Sequence, residues 1–168
     1  DSLGTGIIAT GIKKGMATQD SIEDAINSMS SLNKNSAQEL RGYNVNAVTD
    51  VTGFGLLGHL KEMCENSDVS SKINFQDLLF LNGAKELAMS GVMPGGTKRN
   101  LKSVEKVVSF NDHLSEIEQL LSADAQTSGG LLVSMPLEDA RSYVKKVNGQ
   151  TAIIGQITEK KPYLIKVY

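Results

Sequence analysis

The chain predicts an α+β fold, a layered α/β sandwich in which helices flank a mixed sheet. Three observations carry that expectation. Short runs of apolar and β-branched residues, each of strand length, recur along the 168 residues. Between them lie stretches whose apolar residues sit three and four apart, the spacing of one helix face. The two kinds alternate without the strict rhythm of an all-parallel sheet. There are no repeats, no low-complexity stretch and no convincing interior linker, so one domain over 1–168 is the simplest organisation.

The elements follow in order. Residues 3–9, with Leu3, Ile7 and Ile8, read as a strand. From Asp20 to about Leu32, residues Ile22, Ala25, Ile26 and Met29 keep helical spacing, with Thr18 or Asp20 as N-cap. A short helix carrying Ala37 and Leu40 follows Asn35 and stops at Gly42. Residues 45–49 read as a strand ended by Asp50. After a glycine-rich turn, Leu56, Leu57, Leu60 and Met63 mark a helix to about Asn66. Residues 71–75 form a strand and 83–89 a helix closed by Gly91. Residues 93–100 read as a polar loop leading to an apolar stretch at 104–110. Leu114, Ile117, Leu120 and Leu121 put a helix at 112–121. The continuous apolar run 131–135 predicts a buried strand. Pro136 opens the next helix, where its missing N–H does no harm. Strands at 152–154 and 163–167 close the chain.

Composition limits the function classes. Hydrophobic residues make up 40% of the chain and the net charge is −2, with acids and bases interspersed. That excludes a nucleic-acid face built on bulk positive charge. No apolar run reaches the roughly 18 residues of a membrane span. Cys64 is the only cysteine, so neither an intrachain disulfide nor a multi-thiolate zinc site can form, and a reducing cytoplasmic location fits. The chain opens without Met or a signal-like segment, which predicts a fragment whose N-terminal part has been removed.

Three segments could carry chemistry. In Thr49-Asp-Val-Thr-Gly-Phe-Gly-Leu-Leu-Gly58, a carboxylate at a strand end precedes a glycine-rich turn into a helix. Glycines let backbone N–H groups approach phosphate oxygens, and a helix N-terminus favours negative charge. Asp50 offers the hard oxygen that Mg²⁺ takes beside phosphates. A tight strand–helix turn capped by Asp50 and Thr52 is the competing reading. The turn has no Gly-Lys-Ser/Thr, and its Gly-x-Gly-x-x-Gly spacing lacks the following acidic strand of a dinucleotide site. The second segment is Asp124-Ala-Gln-Thr-Ser-Gly-Gly130, either a phosphate-facing or a close-packed turn. The third, Pro94-Gly-Gly-Thr-Lys-Arg-Asn100, is a solvated loop or a place where Lys98 and Arg99 neutralise phosphate, with Thr97 and Asn100 adding hydrogen bonds. His59 reads as a satisfied or partly exposed imidazole one turn into its helix and His113 as surface. Cys64 is a small buried apolar group, and Ser128 lacks a histidine partner for nucleophilic work.

Five blocks in order resemble one family: Leu3-Gly-Thr-Gly-Ile7, Ala47-Val-Thr-Asp-Val-Thr-Gly-Phe-Gly-Leu-Leu-Gly-His-Leu60, Pro94-Gly-Gly-Thr97, Gln126-Thr-Ser-Gly-Gly-Leu-Leu132 and Ala152-Ile-Ile-Gly155. Together they are similar to the C-terminal half of selenophosphate synthetase (selenide, water dikinase). That family belongs with aminoimidazole ribonucleotide synthetase, formylglycinamidine synthetase, thiamin-monophosphate kinase and a hydrogenase maturation protein. Phe54 between its glycines, followed by Gly-His-Leu, favours the selenium branch.

The resemblance implies an aminoimidazole ribonucleotide synthetase C-terminal-domain-like fold. It also implies a cytoplasmic, dimeric enzyme that converts ATP, selenide and water into selenophosphate, AMP and phosphate. Mg²⁺ is required in the family and K⁺ often helps. ATP lies between an N-terminal domain and this one, Asp50 is the metal-binding aspartate of this half, and Thr52, Gly53 and Gly55 shape the loop behind it. Thr97 and Asn100 are assigned to the nucleotide. The reactive Cys or selenocysteine and its Lys belong to the N-terminal half, so no catalytic nucleophile is expected in this chain, and the fragment alone is expected to be inactive. Ala125 departs from the family's usual Pro. The alternatives are half of another ATP-dependent synthetase or kinase of the group, and a non-catalytic protein-interaction module.

Overall fold

The computed structural model describes residues 2–147 and 151–168. A mixed four-stranded sheet has the order β3-β6-β2-β5, formed by β2 (Ser70–Ile73), β3 (Val108–Phe110), β5 (Gly155–Thr158) and β6 (Ile165–Val167). β6 lies parallel to β2 and β3, and β5 runs antiparallel to β2. The remaining strands, β1 (Ala47–Asp50) and β4 (Leu131–Ser134), form a separate antiparallel ribbon. Its register pairs Asp50 with Leu131 and Ala47 with Ser134. The layered, mixed α/β architecture therefore holds, with the strands divided between a sheet and a ribbon.

Helix α4 (Gly55–Asn66) joins the ribbon to the sheet. Leu56, Leu57, Leu60 and Cys64 recur at helical spacing and are buried against the cluster that holds Ile73, Ile165 and Val167. Those sheet residues are fully buried because β2 and β6 are the interior strands. α2 (Gln19–Ser30) starts as expected, with the Thr18 hydroxyl accepting from Ser21 N–H. α3 (Lys34–Glu39) gives way to a single tight turn at Leu40–Gly42, and α5 (Ala84–Met89) and α8 (Leu137–Val147) also lie where the pattern places them. Among the described residues no helix is long and apolar enough to cross a membrane.

Several expectations are corrected. Residues 3–9 are not a strand: α1 runs Thr5–Lys13, and only Leu3 makes a bridge, to Phe80. Ile7, Ile8 and Gly11 turn inward with helical spacing. The first N–H groups of α1 are satisfied by side chains from more than a hundred residues away. The polar loop 93–100 is in fact the start of α6 (Gly95–Val104), where Thr97 and Val104 face the core and outweigh the poor helix propensity of Gly95 and Gly96. α7 begins only at Glu116, because the Ser115 hydroxyl and the Glu118 carboxylate form a reciprocal cap there. In the run 131–135 only Leu132 is buried, as suits a two-stranded ribbon with one face covered. The strand expected at 152–154 begins at Gly155, although the Ile154 carbonyl already accepts from Asn74 N–H.

Candidate functional site

β1 alternates half-buried Ala47 and Thr49 with exposed Val48 and Asp50, so the strand delivers the Asp50 carboxylate to solvent at its last residue. Val51 turns into the core, and its N–H donates to the Gly130 carbonyl at 2.9 Å. The chain then reverses: the Thr52 carbonyl accepts from Gly55 N–H (2.9 Å) and Gln126 N–H (3.1 Å). Gly55 stands at φ +69°, and a Cβ there would lie 2.7 Å from the Asp124 carbonyl oxygen. Only glycine serves at that point. The exposed residues Gly53 and Phe54 form the outer edge of the turn. α4 starts there with no side chain capping its first turn; the Gly55 N–H bonds to the Thr52 carbonyl, and Gly55, Leu56 and Leu57 are buried.

Behind this turn lies a buried polar framework. The Asp124 carboxylate is 1% exposed. It accepts from the Thr97 hydroxyl at 2.6 Å, Ile7 N–H at 3.3 Å and the Gln126 side-chain amide at 3.2 Å. Burial pushes its pKa up to about 6, and the hydrogen bonds from Thr97, Ile7, Gln126 and Gly6 oppose that rise. The Gln126 side-chain oxygen in turn accepts from Gly4 N–H, Thr5 N–H and the Thr5 hydroxyl. The start of α1 is thereby capped by residues of the 124–130 segment. Asn100 completes the frame, donating to the carbonyls of Gly53 (2.9 Å) and Ala123 (3.2 Å).

The three segments singled out in the sequence thus converge. Thr52, Gly53 and Gly55 surround the turn beside Asp50, and Asn100 holds that turn from the side. Thr97 lies beneath it, fully buried, with its hydroxyl committed to Asp124. The geometry gives Thr97 an internal role rather than a surface to offer a ligand. Lys98 and Arg99 are exposed on α6. Asp124 and Gln126 lie in the second segment singled out from the sequence, but their burial and partners, which make them the framework, are not visible in one dimension. His59 is 8% exposed, and its Nε2 lies 3.1 Å from the Thr52 hydroxyl. Cys64 is buried, and desolvation raises its thiol pKa. Among the described residues, no three His, Cys, Asp or Glu side chains gather as a metal cluster. Asp50 is thus a single exposed carboxylate, not part of a clustered ligand set among the described residues.

Comparison with known proteins agrees with this architecture. Residues 2–167 match the family described as AIR synthase related protein, C-terminal domain. Among relatives, a selenide, water dikinase of Aliarcobacter butzleri is 40% identical over 159 residues, which is 92% of this chain and 46% of that protein. Selenide, water dikinase 2 of Peptoclostridium acidaminophilum is 41% identical over 163 residues, 95% of this chain and 47% of that one. The chain spans about half the length of these relatives. Thiamine monophosphate kinase from Aquifex aeolicus has the same fold, with a TM-score of 0.60 at 14% identity over 99% of this chain and 47% of its own. The hydrogenase maturation protein HypE does too, with a TM-score of 0.66 at 14% identity over 94% of this chain and 42% of its own. The ribbon, the glycine turn and the framework behind it are those of a protein that belongs to the AIR synthase-related family, of which this chain carries the C-terminal domain.

Proposed function

We propose that this chain is the half of a selenide, water dikinase that completes a Mg-ATP site against an N-terminal half. The observation that carries the reading is Asp50, a solvent-facing carboxylate at a strand end, followed within five residues by an exposed glycine turn into α4. Resemblance to selenide, water dikinases over nearly the whole chain supports the choice of chemistry. Mg²⁺ would neutralise phosphate charge at such a site. Asp50 would supply one ligand oxygen, and the turn, with Gly53 exposed and no side chain at Gly53 or Gly55, would leave room for phosphates beside it. Thr97, Asn100 and Asp124 hold the shape of the turn from behind. With no nucleophile assigned to this half, its work is positioning and electrostatics.

Replacing Asp50 by Ala in the full-length enzyme is expected to lower selenide-dependent ATP consumption by about two orders of magnitude or more, as loss of a metal ligand at a phosphoryl site would. Steady-state kinetics at saturating Mg²⁺ check it. Near-normal turnover would remove Asp50 from the site.

A further inference from the structure

His59 has the surroundings of a residue that works through a neighbour. It projects from the second turn of α4 and is almost completely buried, yet its ring reaches back to the turn that precedes the helix. Its Nε2 lies 3.1 Å from the Thr52 hydroxyl, and its Nδ1 lies 3.6 Å from the Glu62 carboxylate one turn further on. The ring also packs against Phe54, with centroids 5.8 Å apart and planes inclined by 59°. One imidazole thus touches both non-glycine side chains of the Thr52-Gly-Phe-Gly55 turn.

The chemistry of the two ring nitrogens sets the direction of the contact. The carboxylate beside Nδ1 favours a proton on that nitrogen, since a carboxylate only accepts. With the proton on Nδ1, Nε2 accepts from the Thr52 hydroxyl; with the proton on Nε2 the roles reverse. We infer that His59 is a positioning residue for the Asp50 turn: its Nε2 accepts a hydrogen bond from the Thr52 hydroxyl, so that Thr52 faces the site as an acceptor only. Asp50 and Thr52 then present acceptor oxygens suited to a hydrated cation. This arrangement of acceptors rests on the function proposed above and refines it. Phe54 shields the contact from the solvent side, where its ring is 63% exposed.

The first test reads the hydrogen bond without any activity. Long-range proton–nitrogen NMR correlations on the wild-type chain should show His59 protonated at Nδ1, with an unprotonated, acceptor Nε2. In Thr52→Val, the Nε2 resonance should shift as its donor is lost. A proton resident on Nε2 would overturn the inference. The second test is a double-mutant cycle on KM for Mg-ATP in the full-length enzyme, using Thr52→Val, His59→Phe and the pair. Each single change should raise KM about five- to tenfold, the weight of one hydrogen bond, and the pair no more than either alone. Additive effects, or an unchanged KM in His59→Phe, would also overturn it. If His59→Phe does not fold, the wild-type tautomer decides. Asp50→Ala in the same series separates the two readings. Normal kinetics there reject the metal site itself, whereas a damaged Asp50 variant beside a neutral His59 variant rejects only the role of His59.

Discussion

The side chains that touch the Asp124 carboxylate are neutral: Thr97 and Gln126, with backbone N–H groups of α1. With no cation alongside, burial outweighs those bonds and the pKa rises from 3.8 to about 6. The folded state therefore holds this proton more tightly than the unfolded chain does. The stability from Asp124 is fully present below pH 3.8 and is lost as pH rises through about 6. A shift of about two pKa units corresponds to about 3 kcal/mol. Over that window the wild type should lose stability with rising pH relative to Asp124→Asn, which has no such proton to release. Denaturant titrations of both at several pH values check this, and parallel pH profiles would contradict it. Asp50 could be picked out from its neighbours in the chain, because a strand end before glycines is a local pattern. Asp124 is picked out as part of its segment, but its buried bracing role is not, because its partner Ile7 is 117 residues away and its burial is a property of the folded packing.

At the scale of elements, local periodicity was enough for α2, α4 and α8 and for β1, β2 and β6, whose boundaries fall within a few residues of expectation. It failed where a distant segment supplies what the local chain lacks. α1 begins with Leu3-Gly-Thr-Gly, which locally suits an extended strand, yet Gln126 and Asp124 satisfy the first donors of a helix there. α6 opens on two glycines and is held through its own Thr97 and Asn100, which bond to the distant Asp124 carboxylate and to the Gly53 and Ala123 carbonyls. The glycine pair at 129 and 130 was ambiguous between a phosphate turn and close packing. For Gly129 the structure chooses packing, since a Cβ would run into the Val51 carbonyl. Gly129→Ala should therefore push β4 from the end of β1, costing about 1–3 kcal/mol. Urea unfolding measures that cost, and an unchanged midpoint would show that the two strands are not in such close contact.

At the scale of the whole molecule, the proposed site joins one exposed carboxylate to a braced glycine turn, and among the described residues no cluster of three His, Cys, Asp or Glu side chains gathers beside it. The family and the fold were legible because four of the five recognised blocks are tied together around the turn, while the fifth, 152–155, leads into β5 beside β2. The internal bracing was not legible, since it depends on hydrogen bonds between those blocks. The purified chain, given Mg-ATP and selenide, should show no selenide-dependent ATP consumption, and measurable turnover would refute the division of labour proposed here. The most direct measurement is a crystal structure of the full-length enzyme with Mg²⁺ and a non-hydrolysable ATP analogue. The account predicts an Asp50 carboxylate oxygen about 2.1 Å from a Mg²⁺ ion that also holds phosphate oxygens. A bound nucleotide whose metal ions are all held without Asp50 would contradict it.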